Sequence, residues 1–547
     1  MGYKVYNPYL LTLIATTGGM LFGFDISSVS SFVDQEHYKE YFNHPDSLTQ
    51  GGITASMAGG SFLGSVLTGM LTDKFGRRPV IQLASIVWMI GCAIQTASQN
   101  IGMLIAGRVI AGIGIGFASS SVPIYISELS PKRIRGRLGA VFQWAITWGI
   151  MIMFYIGYGC SFIKGNASFR TGWGIMIVPG FLLMLGTLVL AESPRWLAKQ
   201  GRWDEAIEII ANVQSKGDPN HPDVALEIEE IRESIEVEKD NANLTVLDLF
   251  NKENINRTMV GLWSQIWQQL TGMNVMMYYI VYMFRMAGFT GDTVLVSSSI
   301  QYVINVVMTV PALLWLDRWG RRKTLMTGSC LMCLWLVITS VLLGIYSSPL
   351  PNPDPNELIT ITVKNSKASK AIISMSYLFV ASFAPTWGPT TWVYCSELFP
   401  TSQRGLANGL CASANWIFNF ALAMFVPSAF KNITWKTYIV FAVFCVAMTI
   451  HVYILFPETK GKTLEEISMM WEAKVPAWRT STWEPETPAS RQVVFDEKND
   501  HEKSEHQEVV PFSDEEKRVW LLLWYFFVWN LYNDLHDIFM PNIKIWP

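Results

Sequence analysis

Charged residues are scarce in this chain. Asp, Glu, Lys and Arg make up 16% of the 547 residues, whereas hydrophobic residues make up 50%. Soluble proteins carry about 25% charged residues, so a water-exposed globule of this composition would leave a large apolar excess uncovered. The shortage of charge argues against an ordinary soluble protein and indicates that a lipid bilayer surrounds most of the chain.

The chain also lacks the marks of several functional classes. The net charge is −3 and the basic residues form short scattered clusters, so we expect no nucleic-acid partner. Cys330 and Cys333 form a C-x-x-C pair without a second pair or a nearby His, which predicts neither a metal nor a redox site. No nucleophile with a base and no nucleotide-binding loop is found, so we expect neither an enzyme nor a bound cofactor. No cleavable leader opens the chain, so the apolar stretch from Leu10 is expected to be retained.

Apolar stretches long enough to cross a bilayer recur along the chain. Twelve are found, near 10–33, 52–72, 79–98, 101–123, 137–158, 173–191, 258–285, 295–316, 324–345, 371–395, 405–427 and 436–456. They predict an all-α membrane protein with 12 transmembrane helices in two six-helix halves, 10–191 and 258–456. The polar segment 192–257, with a charged stretch at 223–240, is predicted to be a helical linker.

The loops indicate the orientation. Lys and Arg concentrate after the second, fourth, eighth and tenth spans, so the positive-inside rule places the linker and both termini, 1–9 and 457–547, in the cytosol. The glycosylation sequons at Asn166 and Asn432 then fall outside the cell. The C-terminal tail is expected to be mostly disordered, and its apolar segment 519–529 is too short to span the membrane.

Two motifs occur once in each half. Asp73–Arg78 reads DKFGRR and Asp317–Arg322 reads DRWGRR, and S-E-L-x-P-x-x-x-R-G occurs at 127–136 and 396–405. A solvated charge run would not place two motifs in matching positions, so the repeat predicts duplicated halves. We expect ion pairs at the cytosolic helix ends that favour one conformation. The predicted network contains Asp73, Arg77, Glu128, Arg135, Asp317, Arg321, Glu397 and Arg404.

Several further motifs lie at the ends of the predicted spans or within them. They are GGMLFGFD (18–25), GMLTDKFGRR (69–78), GRVIAGIGIG (107–116), ESPRWL (192–197), QQLTGMN (268–274), DRWGRR (317–322) and PETKGKTLEE (457–466). Two six-span halves with a site between them form the major facilitator arrangement, and these motifs are similar to those of its sugar porter family. The resemblance covers about 1–470, and FGFDISS most resembles fungal high-affinity monosaccharide carriers. The chain departs from the family at Ala191, where Pro is usual, and at Gly174, where Arg is frequent.

Polar amides lie at the predicted depth of the bilayer centre in the second half. Gln268, Asn305 and Asn415 each follow the start of a predicted span by 10 residues, which is about 15 Å along a helix. Gln269 lies on the same helical face as Gln265, and a break at Thr271-Gly272 would turn Asn274 toward the same place. Such amides suit a neutral sugar covered with hydroxyls, although amides also hold membrane helices together.

The resemblance adds two site residues. It implies that Gln143 supplies the main sugar contact from the first half and that Trp392 stacks on the sugar. Mammalian glucose carriers place a Glu where this chain has Ala384, and the family's bacterial proton symporters lack that Glu too.

Asp25 and Arg108 lie at nearly equal predicted depth, about 22 Å and 20 Å from the inner edge. We therefore expect an ion pair. If Arg108 moves away, a carboxylate left in the membrane interior takes up a proton. The resemblance implies that this aspartate accepts the proton in symporters, although some fungal facilitators carry it too. A permanent structural salt bridge is the alternative.

The sequence thus predicts a plasma-membrane carrier that imports a hexose, with glucose as the expected sugar, by alternating access with a proton, as a monomer in the bilayer. Three alternatives stay open: a facilitator without a proton, a sugar sensor with a signalling tail, and a different substrate such as a pentose, polyol or disaccharide. Deleting residues 480–547 separates a carrier from a sensor, because a carrier keeps transporting.

Overall fold

The computed structural model describes residues 4–32, 35–131, 134–239, 246–289, 292–350, 360–400, 403–462 and 464–484. The chain divides into two compact units, Met1–Ser481 and Thr482–Pro547, and every element below belongs to the first. The disorder predicted for most of the tail, and the apolar segment 519–529, lie outside the described residues.

Within the described residues, the first half contains eight helices. They are α1 (Pro8–Phe32), α2 (Glu36–Tyr41), α3 (Ser47–Phe75), α4 (Arg77–Thr96), α5 (Ile101–Leu129), α6 (Arg135–Ser161), α7 (Ala167–Ile175) and α8 (Ile177–Val189). Asp46 and Asn100 cap α3 and α5 by accepting backbone N–H groups of the first turn, as N-cap residues do.

The linker is helical, as predicted. It contains α9 (Pro194–Lys199), α10 (Trp203–Gln214), α11 (Pro222–Lys239) and a 3₁₀ turn at Val246–Phe250. The charged stretch predicted at 223–240 forms α11. We call the side of the membrane domain on which the linker begins and ends the linker face.

The second half repeats the plan of the first. It contains α12 (Ile255–Leu270), α13 (Met273–Tyr278), α14 (Ile280–Met286), α15 (Asp292–Trp319), α16 (Arg321–Tyr346), α17 (Ser366–Phe383), α18 (Trp387–Leu398), α19 (Arg404–Asn432) and α20 (Lys436–Leu455). After it come α21 (Leu464–Glu472) and a 3₁₀ turn at Ala477–Arg479. Two short antiparallel strands, β1 (Ser347–Pro349) and β2 (Ile361–Val363), pair between α16 and α17, where the sequence predicts only a loop.

Ten helical stretches in the described part of the chain are long and apolar enough to cross a membrane. The two other predicted spans are present as helices of a different character. Helix α3 has 29 residues but is rich in Gly, Ser and Thr, and the seventh span is divided into α12, α13 and α14. Each of the twelve predicted spans therefore coincides with a helix or with consecutive helices.

The glycines of the GIGIG stretch in α5 allow α3 and α5 to pack closely. A Cβ atom at Gly112 or Gly116 would overlap the carbonyl oxygens of Met57 or Ser61 on α3. Small residues serve this purpose in membrane helices, so the stretch is a packing surface. The two halves meet where α3 packs on α19 and α6 packs on α15, and the candidate site lies between them.

Candidate functional site

A cavity lies between the two halves, near the middle of the helices. Side chains from α1, α6, α12, α13, α15, α17 and α18 line it. Six of the seven predicted sugar-binding residues are among them: Gln143, Gln268, Gln269, Asn274, Asn305 and Trp392. Phe22, Ile26 and Phe383 add apolar walls. The structure thus brings together amides from both halves and one indole, a combination that suits a neutral polar ligand.

The break in the seventh span is present where the sequence predicts it. Helix α12 ends at Leu270, and Gly272 adopts φ +84°, a left-handed conformation, before α13 begins. The side chain of Asn274 therefore lies beside Gln269, and its Nδ2 donates to Gln269 Oε1 over 2.8 Å. A second break at Tyr279 has no signal in the sequence.

Asn415 is the predicted site residue that does not line the cavity. Its side chain is fully buried behind the wall, where Nδ2 donates to Gln265 Oε1 over 2.8 Å and to Gln268 Oε1 over 2.7 Å. Its Oδ1 accepts from Gln269 Nε2 over 2.8 Å. The predicted depth could not show which residues line the cavity and which lie behind its wall, because residues at the same depth can lie on different faces of their helices. The geometry gives Asn415 the position of a residue that orients the cavity amides.

Asn305 presents an unpaired acceptor to the cavity. Its side chain is 2% exposed, and Oδ1 has no hydrogen-bond partner among the described residues. Buried polar atoms are nearly always paired, so an orphaned acceptor in a cavity is suited to a ligand that brings a hydroxyl donor.

Asp25 and Arg108 form the ion pair that their depths predict. Arg108 Nη2 lies 2.9 Å from Asp25 Oδ2, and both side chains are almost completely buried. Arg108 Nε also donates to the Ile53 carbonyl over 2.8 Å. Asp25 Oδ1 has no partner among the described residues, so one carboxylate oxygen is available to a proton while the other holds the guanidinium.

Hydrogen bonds run from α13 to the cavity amides. The Tyr278 hydroxyl donates to Asn419 Oδ1 over 3.4 Å. Asn419 Nδ2 donates to Gln269 Oε1 over 3.1 Å. Tyr278 belongs to α13, which packs on α1, so the short helix after the break contacts both the ion pair's helix and the cavity.

At the linker face, the predicted charges pair inside each half. Arg77 Nη2 lies 3.0 Å from Glu128 Oε1 and its Nη1 lies 3.7 Å from Asp73. In the second half, Arg321 Nη2 lies 2.6 Å from Glu397 and 3.1 Å from Asp317. The repeat in the sequence is thus a repeat of the same ion-pair cluster.

The two halves contact each other at backbone groups near the end of the S-E-L-x-P-x-x-x-R-G motif. The Arg137 N–H donates to Asp317 Oδ2 over 3.0 Å, and the α-carbon of Gly405 lies against Asp73, where a Cβ would be 2.7 Å from Oδ1. Arg404 is fully buried, and its Nη2 donates to the Phe399 carbonyl over 3.1 Å. Arg135 is the first residue of α6. The aspartate of each half therefore docks on the helix that begins with the other half's R-G pair, and this closes the linker face.

The ion-pair cluster of each half also contains a carboxylate that we did not predict from the sequence. Glu192 Oε1 accepts the N–H of Arg77 over 3.0 Å, and Glu458 Oε1 accepts the N–H of Arg321 over 2.8 Å, so each caps the helix that follows the D-x-x-G-R-R turn. Ser193 Oγ and Thr459 Oγ1 donate to Glu128 and Glu397 over 2.5 Å and 2.7 Å. The signal was an acidic residue followed by Ser or Thr after the last span of each half.

Glu192 lies outside the spans. Burial raises the pKa of its carboxyl above the ordinary value, and hydrogen bonds from the backbone N–H groups of Ser193, Arg78 and Arg77 counteract that shift. Acidification of the linker side should therefore neutralise this carboxylate before an exposed glutamate and weaken the cap on α4.

The replacement of the usual proline by Ala191 leaves its backbone contact intact. Tyr125 donates its hydroxyl to the Ala191 carbonyl over 2.6 Å, and Tyr394 donates to the Pro457 carbonyl over 2.9 Å. The carbonyl, which both residue types possess, makes the contact.

The halves also touch on the face opposite the linker. The hydroxyls of Ser30 on α1 and Tyr302 on α15 lie 3.4 Å apart, and Tyr302 donates to the Met277 carbonyl over 3.3 Å. The cavity therefore has contacts between the halves on both sides of it.

Similarity to known proteins is extensive. The family described as "Sugar (and other) transporter" matches residues 11–471. A "High-affinity glucose transporter" of Kluyveromyces lactis is 53% identical over 496 residues, 90% of this chain and 89% of that protein. "High-affinity glucose transporter 1" of Candida albicans is 50% identical over 519 residues, 94% and 95% of the two chains. Among solved structures, the proton:xylose symporter XylE bound to 6-bromo-6-deoxy-D-glucose superposes with a TM-score of 0.74 at 26% identity, covering 86% of this chain and 100% of that one.

Proposed function

Because this chain belongs to the sugar transporter family, we propose that it imports glucose across the plasma membrane together with a proton, by alternating access. The observation that carries the proposal is the central cavity, in which amides from both halves face one indole. The relatives named as high-affinity glucose transporters support glucose as the sugar.

The cavity chemistry fits a hexose. Gln143 from the first half and Gln268, Gln269, Asn274 and Asn305 from the second supply donors and acceptors, and the orphaned Asn305 Oδ1 accepts from a sugar hydroxyl. Trp392 offers an aromatic ring to the apolar C–H face of the sugar. Asn415 holds Gln268 and Gln269 in place from behind.

The proton acts at Asp25. A proton on the unpaired Oδ1 weakens the attraction to Arg108, because the ion pair becomes a hydrogen bond between a neutral acid and a cation. Helix α13 packs on α1, which carries Asp25, and the Tyr278, Asn419 and Gln269 hydrogen bonds connect α13 to the amides that hold the sugar. Helix α13, which follows the break, therefore contacts both the sugar site and the helix that carries the proton-binding Asp25.

In alternating access, the cavity opens to one side of the membrane when the contacts between the halves on that side break. We place the linker face in the cytosol with both termini. It is held by Asp317 of α15, which accepts a backbone N–H of α6, and by Asp73, which lies beside Gly405. The outer face is held by Ser30 and Tyr302. The site is complete in one chain, so a monomer suffices. Asn166 and Asn432 are exposed and carry glycans on the outer side.

A facilitator without proton coupling is the second candidate. The Asp25–Arg108 pair is almost completely buried, which favours this candidate, because a buried pair that never separates would serve only to hold α1 and α5 together. The two candidates share the sugar site and differ only in whether Asp25 takes up and releases a proton.

Uptake of labelled glucose in a cell without hexose carriers tests the proposal. We expect uptake that unlabelled glucose inhibits more strongly than a pentose, a polyol or a disaccharide does. Gln268→Ala should abolish most of it, whereas Gln95→Ala, which removes a buried amide of α4 outside the cavity, should retain it. No uptake by wild-type chain shown to be at the cell surface would contradict the proposal.

A further inference from the structure

A second, smaller cavity lies between the halves on the linker side of Trp392. Its walls include Ser119 and Ser120 of α5, Gln265 of α12, Trp392 and Cys395 of α18, and Asn408 of α19. Trp392 lines both cavities, so this residue lies between them. Both halves contribute to the walls, so the space widens when the halves separate at the linker face.

Two polar groups in this wall have no partner. Ser120 Oγ and Asn408 Nδ2 make no hydrogen bond within the described residues, although the side chains are only 1% and 7% exposed. The neighbouring Ser119 is satisfied, because its Oγ donates to the Gly116 carbonyl over 3.3 Å and accepts from Trp416 Nε1 over 3.1 Å. Orphaned buried polar atoms are rare, and these two belong to residues that line the same cavity from opposite halves.

The cavity lies on the route from the central site to the linker face. Asn408 follows the start of α19 at Arg404 by four residues, about 6 Å. Ser120 precedes the end of α5 at Leu129 by nine residues, about 14 Å. A ligand that leaves the central cavity past Trp392 toward the cytosol therefore meets these two groups next.

We propose that this second cavity is an exit site, which binds the transported hexose after it passes Trp392 and before it reaches the cytosol. The inference rests on the proposed sugar transport. The wall offers an amide donor, a hydroxyl and an indole, and none of its described side chains is charged, which suits a neutral polyhydroxyl ligand and no ion. Opening of the linker face enlarges the cavity to admit the sugar.

Efflux kinetics from vesicles containing the full chain test the exit site. Asn408→Leu and Ser120→Ala should each raise the half-saturation constant for glucose efflux roughly three- to tenfold, the value of one hydrogen bond. The ratio of the efflux to the influx constant should rise by the same factor. Ser413→Ala is the matched control, because this buried serine of α19 bonds only its own helix at the Leu410 carbonyl. An unchanged ratio in both variants overturns the proposal.

A labelling experiment on Cys395 keeps the test independent of the variants' folding. A membrane-impermeant thiol reagent applied at the cytosolic side should modify Cys395 when the linker face opens, with Cys395→Ser as the blank. Cytosolic glucose should slow this labelling in the wild type and in Gln143→Ala, which affects only the central cavity. Protection that is lost in Gln143→Ala but kept in Asn408→Leu would place the protecting sugar at the central site and overturn the exit site. If the wild type takes up glucose but gives the contradicting results in these tests, the exit site is overturned and the proposed glucose transport stands.

Discussion

At the residue scale, some amides face the cavity in which we place the sugar, and others hold those amides in position. Asn415 and Asn305 were predicted at the same depth, but Asn305 faces the cavity and Asn415 lies behind it with three amide partners. Residue type and depth, which the sequence contains, identify both as polar groups at mid-membrane. The rotation of each helix, which decides the role, depends on packing against neighbours that the sequence does not specify one by one.

Asn415→Ala should weaken glucose transport without removing a cavity residue. The change leaves Gln265 and Gln268 without a donor for their carbonyl oxygens, and one unsatisfied buried group costs about 1–3 kcal/mol. We expect the half-saturation constant for uptake to rise about tenfold, measured with labelled glucose. Ser413→Ala on the same helix serves as the control. An unchanged constant in Asn415→Ala would show that the glutamines hold their orientation without it.

At the scale of helices, the glycine turns determine where functional side chains point. The break after α12 could be predicted because Thr271-Gly272 interrupts an otherwise apolar span. The second break at Tyr279 could not, because no glycine or proline marks it. The β1–β2 pair was missed for a similar reason, since three-residue strands give no alternating pattern of useful length.

Gly272→Ala should displace Asn274 from the cavity. At φ +84° a side chain is strained by about 1–2 kcal/mol, and its Cβ would lie 2.9 Å from the Phe441 ring. The break should therefore partly straighten, and uptake should fall with a raised half-saturation constant. Gly165→Ala, which has φ +73° but no neighbour within 4 Å, tests strain without crowding. Equal loss of uptake in the two variants would contradict a specific role for the break.

Gly320→Ala should loosen the linker face. Gly320 adopts φ +86° and ψ 158°, a conformation that costs other residues about 1–3 kcal/mol, and a Cβ there would lie 2.5 Å from Glu458 Oε2. Displacement of Glu458 uncaps α16 and disturbs Arg321. We expect a lower unfolding temperature and faster labelling of Cys395 from the cytosolic side. Gly201→Ala, with φ +77° in open space, carries a similar backbone strain without the contact to Glu458, so it should leave the labelling of Cys395 unchanged.

For the whole molecule, the duplicated halves explain both what the sequence predicted and what it missed. The repeated D-x-x-G-R-R and S-E-L-x-P motifs correctly predicted two matching charge clusters. They did not predict that the ion pairs would stay within each half while Asp317 and Asp73 dock on the opposite half's backbone. Contacts made by backbone atoms leave no pattern in the residue types, so only the structure shows where the two halves contact each other.

Coupling of glucose to a proton is the central claim for the whole molecule. Asp25 sits beside Arg108 with one unpaired carboxylate oxygen, and the Tyr278–Asn419–Gln269 hydrogen bonds link its surroundings to the sugar amides. Asp25→Asn keeps the shape of the side chain and removes its ability to take up and release a proton. Asp46→Asn is the matched control, because Asp46 is an exposed N-cap of α3, a role that Asn also fills.

The most direct measurement is the external pH of weakly buffered cells, free of other hexose carriers, when glucose is added. Cells with the wild-type chain or Asp46→Asn should alkalinise the medium and accumulate a non-metabolised glucose analogue above its external concentration. Cells with Asp25→Asn at the same surface level should do neither. Uptake of glucose by the wild type without any alkalinisation, or full accumulation by Asp25→Asn, would contradict proton coupling at Asp25.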